Sequence, residues 1–159
     1  MPPQGIQWNE RATLLDERTG LLYSSDKSSP DNVIITYDQR SNLFRRLKCT
    51  VPPNPVTGKK SFLRAYTEVR TPDNMFYCMD WSGTFFKFWP DEERTEVIGI
   101  NWDKEGVYTT TLDISPKFRY VYYVPAAHGQ AWKFGAPVIQ YDTKTNRRKV
   151  IALDRKSVV

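Results

Sequence analysis

The feature of this sequence that most constrains its fold is an internal repeat with a period of about fifty residues. In each copy, an apolar segment with a central aromatic residue is followed by a second strand-like segment. The central aromatic residues are Tyr37, Phe88 and Tyr141, with successive spacings of 51 and 53 residues. A regular period of this length is typical of proteins that stack copies of one structural unit. We therefore expect one domain over residues 1–159, with repeats at about 8–49, 62–101 and 107–154.

Each repeat reads as four short β-strands, which we label A to D in chain order. Runs of β-branched and aromatic residues bounded by turn residues predict strands. Pro72 and Pro116 fit the A–B turns, where proline presets φ, and Asn146 fits a C–D hairpin that needs a left-handed residue. No segment has sustained helical periodicity. The predicted fold class is all-β, with three consecutive four-stranded antiparallel sheets.

The third repeat carries a motif that resembles a known family. Its residues 112–123 read LDISPKFRYVYY, and its residues 137–146 read PVIQYDTKTN. These segments resemble a blade of the six- and seven-bladed β-propeller superfamily, which includes gluconolactonase-like, NHL-type and oligogalacturonate-lyase-like proteins. The resemblance implies that each repeat is one propeller blade of four antiparallel strands.

The number of blades limits how such a chain can exist. Closed propellers have about four to eight blades, so three blades cannot close a ring. The open edges of β-sheets invite pairing with another chain. We therefore expect either a partial propeller or half of a dimeric six-bladed ring. For a partial propeller, the partner is the set of missing blades of a longer chain. For a dimeric ring, the partner is a second copy, which forms a homodimer. The sequence leaves both open.

Composition argues against several classes of function. The net charge of +5 comes from short basic clusters in separate repeats, whereas nucleic-acid binders gather basic residues on one face. No apolar run approaches the roughly 20 residues that span a bilayer, and the N-terminus does not read as a signal peptide. We therefore expect a soluble chain and assign no compartment. Cys49 and Cys78 form neither a disulfide framework nor a zinc motif, and whether they pair is left open.

The order of antiparallel strands decides which loops share an end of the blades. The D–A and B–C loops lie at one end, and the A–B and C–D turns lie at the other. Because loops on a rigid scaffold carry function more often than the scaffold does, we predict a binding site at the first end, called the long-loop end. Its loops are 48–62 and 101–107 between D and A, and 26–31, 80–83 and 125–135 between B and C.

The loop 125–135 contains His128, the only histidine of the sequence, together with Trp132 and Lys133. We predict all three as ligand contacts. Histidine is a common general base and metal ligand near neutral pH, so His128 is also the candidate catalytic residue and the candidate metal ligand. A zinc site needs three or four ligands, so a metal at His128 would require partners such as Asp80 or Asp103, or residues from blades outside this chain. The alternative interpretation is a surface histidine without a role.

A second group of predicted ligand contacts lies at the same end, in the segments Asp80-Trp81 and Asn101-Trp102-Asp103. An indole offers a flat apolar face, and Asp and Asn offer directed hydrogen bonds, a combination that suits sugars and small polar ligands. The alternative is that the tryptophans pack between blades and the aspartate caps a turn. Arg64, Glu68 and Asp113 lie in or beside the inner A strands, where alternation leaves open whether they face a central channel or another blade.

These observations favour a propeller binding module that recognises a small polar ligand, a glycan or a protein through the long-loop end. The alternative rests on the family resemblance. It is a portion of a metal-dependent propeller enzyme, of the lactonase or polysaccharide-lyase type, with a divalent metal over the central channel. The cofactor is otherwise left open. A barrel of lipocalin size that binds an apolar ligand fits the fifty-residue repeat poorly.

Overall fold

The computed structural model describes residues 5–102, 106–125 and 135–154, with residue 154 described by its backbone alone. Within these ranges the chain forms twelve β-strands. Among the same residues there is no helix long and apolar enough to cross a lipid bilayer. The strands are β1 (Leu14–Asp16), β2 (Leu21–Ser25), β3 (Val33–Asp38), β4 (Leu43–Thr50), β5 (Leu63–Tyr66), β6 (Phe76–Asp80), β7 (Thr84–Trp89), β8 (Arg94–Ile100), β9 (Thr109–Ile114), β10 (Tyr120–Pro125), β11 (Ala136–Asp142) and β12 (Arg147–Asp154).

These strands form three four-stranded antiparallel sheets, and each sheet keeps its strands in chain order. Strands β1–β4 form blade 1, β5–β8 form blade 2 and β9–β12 form blade 3. The predicted fold class, three consecutive four-stranded antiparallel sheets, is confirmed. Strands A to D of the sequence-based prediction are therefore the four strands of each blade.

The C–D turns of the three blades share one local conformation. The last turn residues, Asn42, Glu93 and Asn146, have φ angles of 54°, 48° and 55°. Asparagine adopts this left-handed region more readily than most residues, and the conformation predicted for Asn146 is confirmed. In blades 1 and 3 the turn asparagine also accepts a hydrogen bond from the C-strand tyrosine. The Tyr37 hydroxyl lies 3.0 Å from Asn42 Oδ1, and the Tyr141 hydroxyl lies 2.6 Å from Asn146 Oδ1.

Blade 2 is buried on both of its faces. In β6, Phe76 and Cys78 pack in a cluster shared with blade 1, whereas Tyr77 and Met79 pack in a cluster shared with blade 3. Every residue of β6 is buried. Because successive side chains of a strand point to opposite faces, a strand that is covered on both sides needs apolar residues at consecutive positions. Blade 2 therefore provides the common core of the three sheets.

The two junctions between neighbouring blades contain the same aromatic contact. Tyr23 of blade 1 meets Phe88 of blade 2 edge-on, with ring centroids 5.4 Å apart. Tyr77 of blade 2 meets Tyr141 of blade 3 edge-on, with centroids 6.1 Å apart. In both cases a strand-B tyrosine contacts the strand-C aromatic residue of the next blade. Such pairs contribute about 0.5–1.5 kcal/mol beyond the area they bury.

Cys49 and Cys78 are free thiols in the core between blades 1 and 2. Burial raises the pKa of Cys49 to about 12, and burial also raises the pKa of Cys78. A thiol that stays protonated at neutral pH is a poor nucleophile and a poor metal ligand. Both cysteines therefore act as apolar packing residues.

The A strands of the three blades lie side by side and form a surface that we call the inner wall. The Tyr66 hydroxyl of blade 2 donates to the Thr13 carbonyl of blade 1 over 2.5 Å, and β5 packs against β9. Along each A strand, buried residues alternate with residues that face this wall. The wall-facing residues are Arg11, Thr13, Leu15 and Glu17 in blade 1, Arg64, Tyr66 and Glu68 in blade 2, and Thr110 and Thr111 in blade 3.

The Phe86→Ala variant tests whether the centre of blade 2 carries the stability of the fold. Phe86 is fully buried against blade 1, so we expect the free energy of unfolding to fall by about 3–5 kcal/mol. Urea denaturation measures this change. The control is Val97→Ala, at the residue that pairs with Phe86 across β7 and β8 and is 40% exposed; it should cost less than about 0.5 kcal/mol. Equal losses in the two variants would contradict the assignment.

Candidate functional site

Asp80, one of the predicted ligand contacts, is fully buried at the end of β6. Its carboxylate accepts hydrogen bonds from the backbone N–H groups of Ser82 (2.9 Å) and Thr84 (2.7 Å), and from the Ser82 hydroxyl (2.8 Å). Side chains of this type close turns by bonding to the backbone two residues ahead. Burial raises the pKa of Asp80. The geometry therefore gives Asp80 a role in closing the B–C turn of blade 2, and ligand contact by this residue stays a prediction.

The same turn-closing device is present in blade 1. Asp26 accepts hydrogen bonds from the Ser28 backbone N–H (3.0 Å) and hydroxyl (2.6 Å). It also forms an ion pair with Arg46 over 2.7 Å. Burial favours its neutral form, but hydrogen bonds from Ser28, Gln7 and Arg46 together lower the pKa of Asp26. An Asp-x-Ser pattern after strand B is thus a structural signature of two blades, and the spacing is visible in the sequence.

Asn101, a second predicted contact, holds the connection between blades 2 and 3. Its Oδ1 accepts from the Val107 N–H over 2.9 Å, and its Nδ2 donates to the Val107 carbonyl (2.6 Å) and the Thr109 hydroxyl (2.7 Å). Gly83 packs against the same place with a φ of +87°. A Cβ at this glycine would lie 2.4 Å from the Val107 nitrogen, so no side chain fits there. The Gly83 carbonyl accepts from the Asn101 N–H over 2.8 Å, which joins the B–C turn to the D–A loop.

Trp81, the third predicted contact, is the centre of an arginine–aromatic cluster at the long-loop end of the inner wall. Its indole lies 4.4 Å from the Tyr108 ring and 5.5 Å from the Phe62 ring, measured between centroids. Two guanidinium groups lie over its face, that of Arg11 at 5.3 Å and that of Arg64 at 5.7 Å. Three blades meet here, because Arg11 belongs to blade 1, Arg64 to blade 2 and Tyr108 leads into blade 3.

The two arginines of this cluster keep their positive charge available. Arg64 donates to the Tyr108 hydroxyl from Nε (2.9 Å) and Nη2 (2.6 Å), and to the Arg11 carbonyl from Nη1 (3.0 Å). Among the described residues, neither Arg11 nor Arg64 forms an ion pair with a carboxylate. Arg11 is exposed and Arg64 is half-buried. A depression of about 160 Å³ beside them is lined by both arginines and by Tyr66, Glu68 and residues 110–112.

The opposite end of the inner wall contains a larger groove. This groove of about 460 Å³ is lined by the charged residues Glu17, Arg18 and Glu68, by the buried pair of Asp16 and Arg70, and by Thr71 and Phe118 among others. Arg70 donates to Asp16 of blade 1 over 2.5 Å and to Asp91 of blade 2 over 2.7 Å. Hydrogen bonding to Arg70 lowers the pKa of Asp91. Carboxylates therefore outnumber guanidinium groups by three to two in the groove at the A–B end, whereas two guanidinium groups and one carboxylate line the depression at the long-loop end.

The remaining predicted site residues do not join the arginine–aromatic cluster among the described residues. His128, Trp132, Lys133 and Asp103 lie outside the described residues. Trp102 is half-buried and packs against the cluster between blades 2 and 3. Within the described part of the chain, no group of three or more His, Cys, Asp or Glu side chains could hold a metal ion. Sequence reasoning did not assign Arg11 and Tyr108 to the site, because their contacts come from three different repeats.

Comparison with known proteins gives similarity in structure rather than in sequence. No protein-family model and no curated protein sequence matches the chain. Among solved structures it is similar to TolB from Acinetobacter baumannii, with a TM-score of 0.58 and 10% identity over 89% of this chain. It is also similar to the extracellular domain of BT4673 from B. thetaiotaomicron. Two structures of that domain give TM-scores of 0.60 and 0.59, with 16% and 10% identity over 98% and 92% of this chain.

The matches cover only part of the solved proteins. The chain spans 32% of the TolB chain and 18% and 16% of the two BT4673 chains. At these identities the similarity concerns the fold alone. Together with the three four-stranded sheets, it supports a propeller-like fold of which this chain is a part.

Substitutions at Asp80 separate turn closure from other roles. Asp80→Ala leaves the backbone donors of the turn without their acceptor, so we expect the free energy of unfolding to fall by about 1–3 kcal/mol. Asp80→Asn keeps an acceptor oxygen and should lose much less. Thermal or urea denaturation of both variants measures the difference. Similar losses in the two variants would show that the charge, and not the hydrogen bonds, holds the turn.

The unmodified protein and the Asp80→Asn variant should also differ in how their stability depends on pH. Because the pKa of Asp80 is raised in the folded state, the folded protein binds this proton more tightly than the unfolded chain. The contribution of Asp80 to the free energy of unfolding therefore falls as the pH rises above 3.8, the ordinary pKa of this carboxyl group. Asp80→Asn should remove this fall, and an unchanged pH profile would contradict the assignment.

Proposed function

We propose that this chain is a propeller-like binding module whose long-loop end recognises a small carboxylate-bearing ligand, such as an acidic sugar. The observation that carries the proposal is the position of two guanidinium groups, from Arg11 and Arg64, over the indole of Trp81; neither pairs with a carboxylate among the residues that the structure describes. Guanidinium groups bind carboxylates through paired hydrogen bonds, and the Trp81 indole holds the two groups close together.

The charge distribution along the inner wall supports the same choice of ligand. Arg11 and Arg64 lie at the long-loop end of the wall and Glu17 lies at the other end, while Glu68 lines both the depression beside the arginines and the larger groove. A wall with an excess of positive charge at one end and of negative charge at the other attracts an anion to the first end. We therefore place the carboxylate of the ligand at the arginines and the remainder of the ligand in the depression beside them, against Tyr66 and residues 110–112.

Titration calorimetry with glucuronate and with glucose tests this function, because the two sugars differ by one carboxylate. We expect glucuronate to bind and glucose to bind at least about tenfold more weakly, since hydrogen bonds to charged groups are worth about 1.5–3 kcal/mol. Arg11→Gln should weaken glucuronate binding by about tenfold or more. Arg11 is the better first target, because Arg64 also bonds to Tyr108 and its loss would disturb the blades.

The matched control is Arg40→Gln, which removes the same charge from an exposed C–D turn of blade 1, at the opposite end of the blades. This variant should bind glucuronate as the unmodified protein does. Equal binding of glucose and glucuronate, or equal weakening by Arg11→Gln and Arg40→Gln, would contradict a site built on the arginine–aromatic cluster.

A further inference from the structure

The two outer faces of the chain each carry one of the two aromatic residues that form the contact between neighbouring blades, without its partner from another blade. At both junctions a strand-B tyrosine, Tyr23 or Tyr77, meets the strand-C aromatic residue of the following blade. The equivalent strand-B tyrosine of blade 3 is Tyr122, on the face that points away from blade 2. The equivalent strand-C aromatic residue of blade 1 is Tyr37, on the outer face of blade 1.

Tyr37 has the local geometry of a junction residue. Its hydroxyl bonds to the left-handed Asn42, as the Tyr141 hydroxyl bonds to the left-handed Asn146. Tyr141 is fully buried because blade 2 covers it, whereas Tyr37 is only half-buried and stacks on Phe44 at 4.4 Å. Trp8 packs edge-on against Phe44 at 5.9 Å and covers part of this face, so blade 1 presents at Tyr37 a part of the surface that blade 3 uses at its junction with blade 2.

The outer face of blade 3 has the features of the opposite side of a junction. Tyr122 is half-buried and accepts a hydrogen bond from Gln140 over 2.9 Å. Beside it lies a groove of about 360 Å³ that includes Tyr120, Gln140 and Lys149. Lys149 pairs with Gln140 across strands C and D, as Arg45 pairs with Thr36 in blade 1. At the first junction Arg45 bonds to Glu93 in the C–D turn of the next blade, so blade 3 has a basic residue at the position that makes this bond, whereas blade 2 has Glu96 there.

We propose that a second copy of this chain docks its blade 1 on blade 3 of the first copy, with Tyr37 of one protomer against Tyr122 of the other. The two outer faces of one chain are complementary halves of the contact that already joins its own blades. Two copies related by a two-fold axis would make this contact twice and close a ring of six blades, within the usual range of about four to eight. The interface continues the established junctions, and it does not depend on the proposed ligand site.

Light scattering on a sizing column tests the proposal with the 159-residue chain. We expect a single species of twice 18.6 kDa. Tyr122→Arg and Tyr37→Arg should each weaken the dimer by about tenfold or more, because aromatic residues at the centre of an interface contribute most to its affinity. Tyr122→Phe keeps the ring and should remain dimeric. The control is Val56→Arg, in an exposed D–A loop, which should also remain dimeric.

Circular dichroism confirms that each variant retains its β structure, so that a loss of mass reports on the interface. A folded monomer of the unmodified chain would overturn the proposal and would instead assign these faces to further blades of a longer protein. A mixture of sizes would overturn it as well, since it would indicate open-ended association. A dimer that persists in Tyr122→Arg and Tyr37→Arg would show that the copies meet elsewhere.

Discussion

Aromatic packing on the two faces of blade 2 is the interaction on which the other parts of this structure depend. The side chains of β6 alternate between the two neighbouring blades, so Phe76 contributes to one junction and Tyr77 to the other. No further sheet covers the outer face of blade 1 or of blade 3 among the described residues. The position of every A strand, and hence of every charge on the inner wall, follows from how the outer sheets pack on this central one.

The polar residues near the long-loop end divide into two kinds with different consequences. Asp26, Asp80 and Asn101 are buried and use their side chains to fix turns and loops. The Arg11 carbonyl accepts a hydrogen bond from the Arg64 guanidinium, and both guanidinium groups face the inner wall. Because the first kind makes the loops rigid, the second kind is held in place without carboxylate partners among the described residues. That arrangement is the physical basis for proposing an anion site there.

The repeat period predicted the fold because Tyr37, Phe88 and Tyr141 occupy the same strand-C position in each blade, and Phe88 and Tyr141 make the same contact at the two junctions. The candidate site was harder to predict. Asp80 and Asn101 have the residue types of ligand contacts, but only the coordinates show that turn N–H groups and the next loop occupy them. The Arg11–Trp81–Tyr108 cluster joins residues from three blades, and no local pattern in the sequence records contacts that arise from the packing of blades. The loop with His128, Trp132 and Lys133 lies outside the described residues, so those three stay predictions.

Native-state hydrogen exchange tests most directly the claim that blade 2 is the common core. The account predicts that the amides of β6 and β7 exchange slowest and only through global unfolding, because both faces of these strands are covered. Amides of the outer strands β4 and β12 should exchange through local opening at lower free energy. If β6 and β7 instead exchanged faster than the central strands of blade 1 or blade 3, blade 2 would open first. The outer blades would then be stable without it, and the account would be wrong.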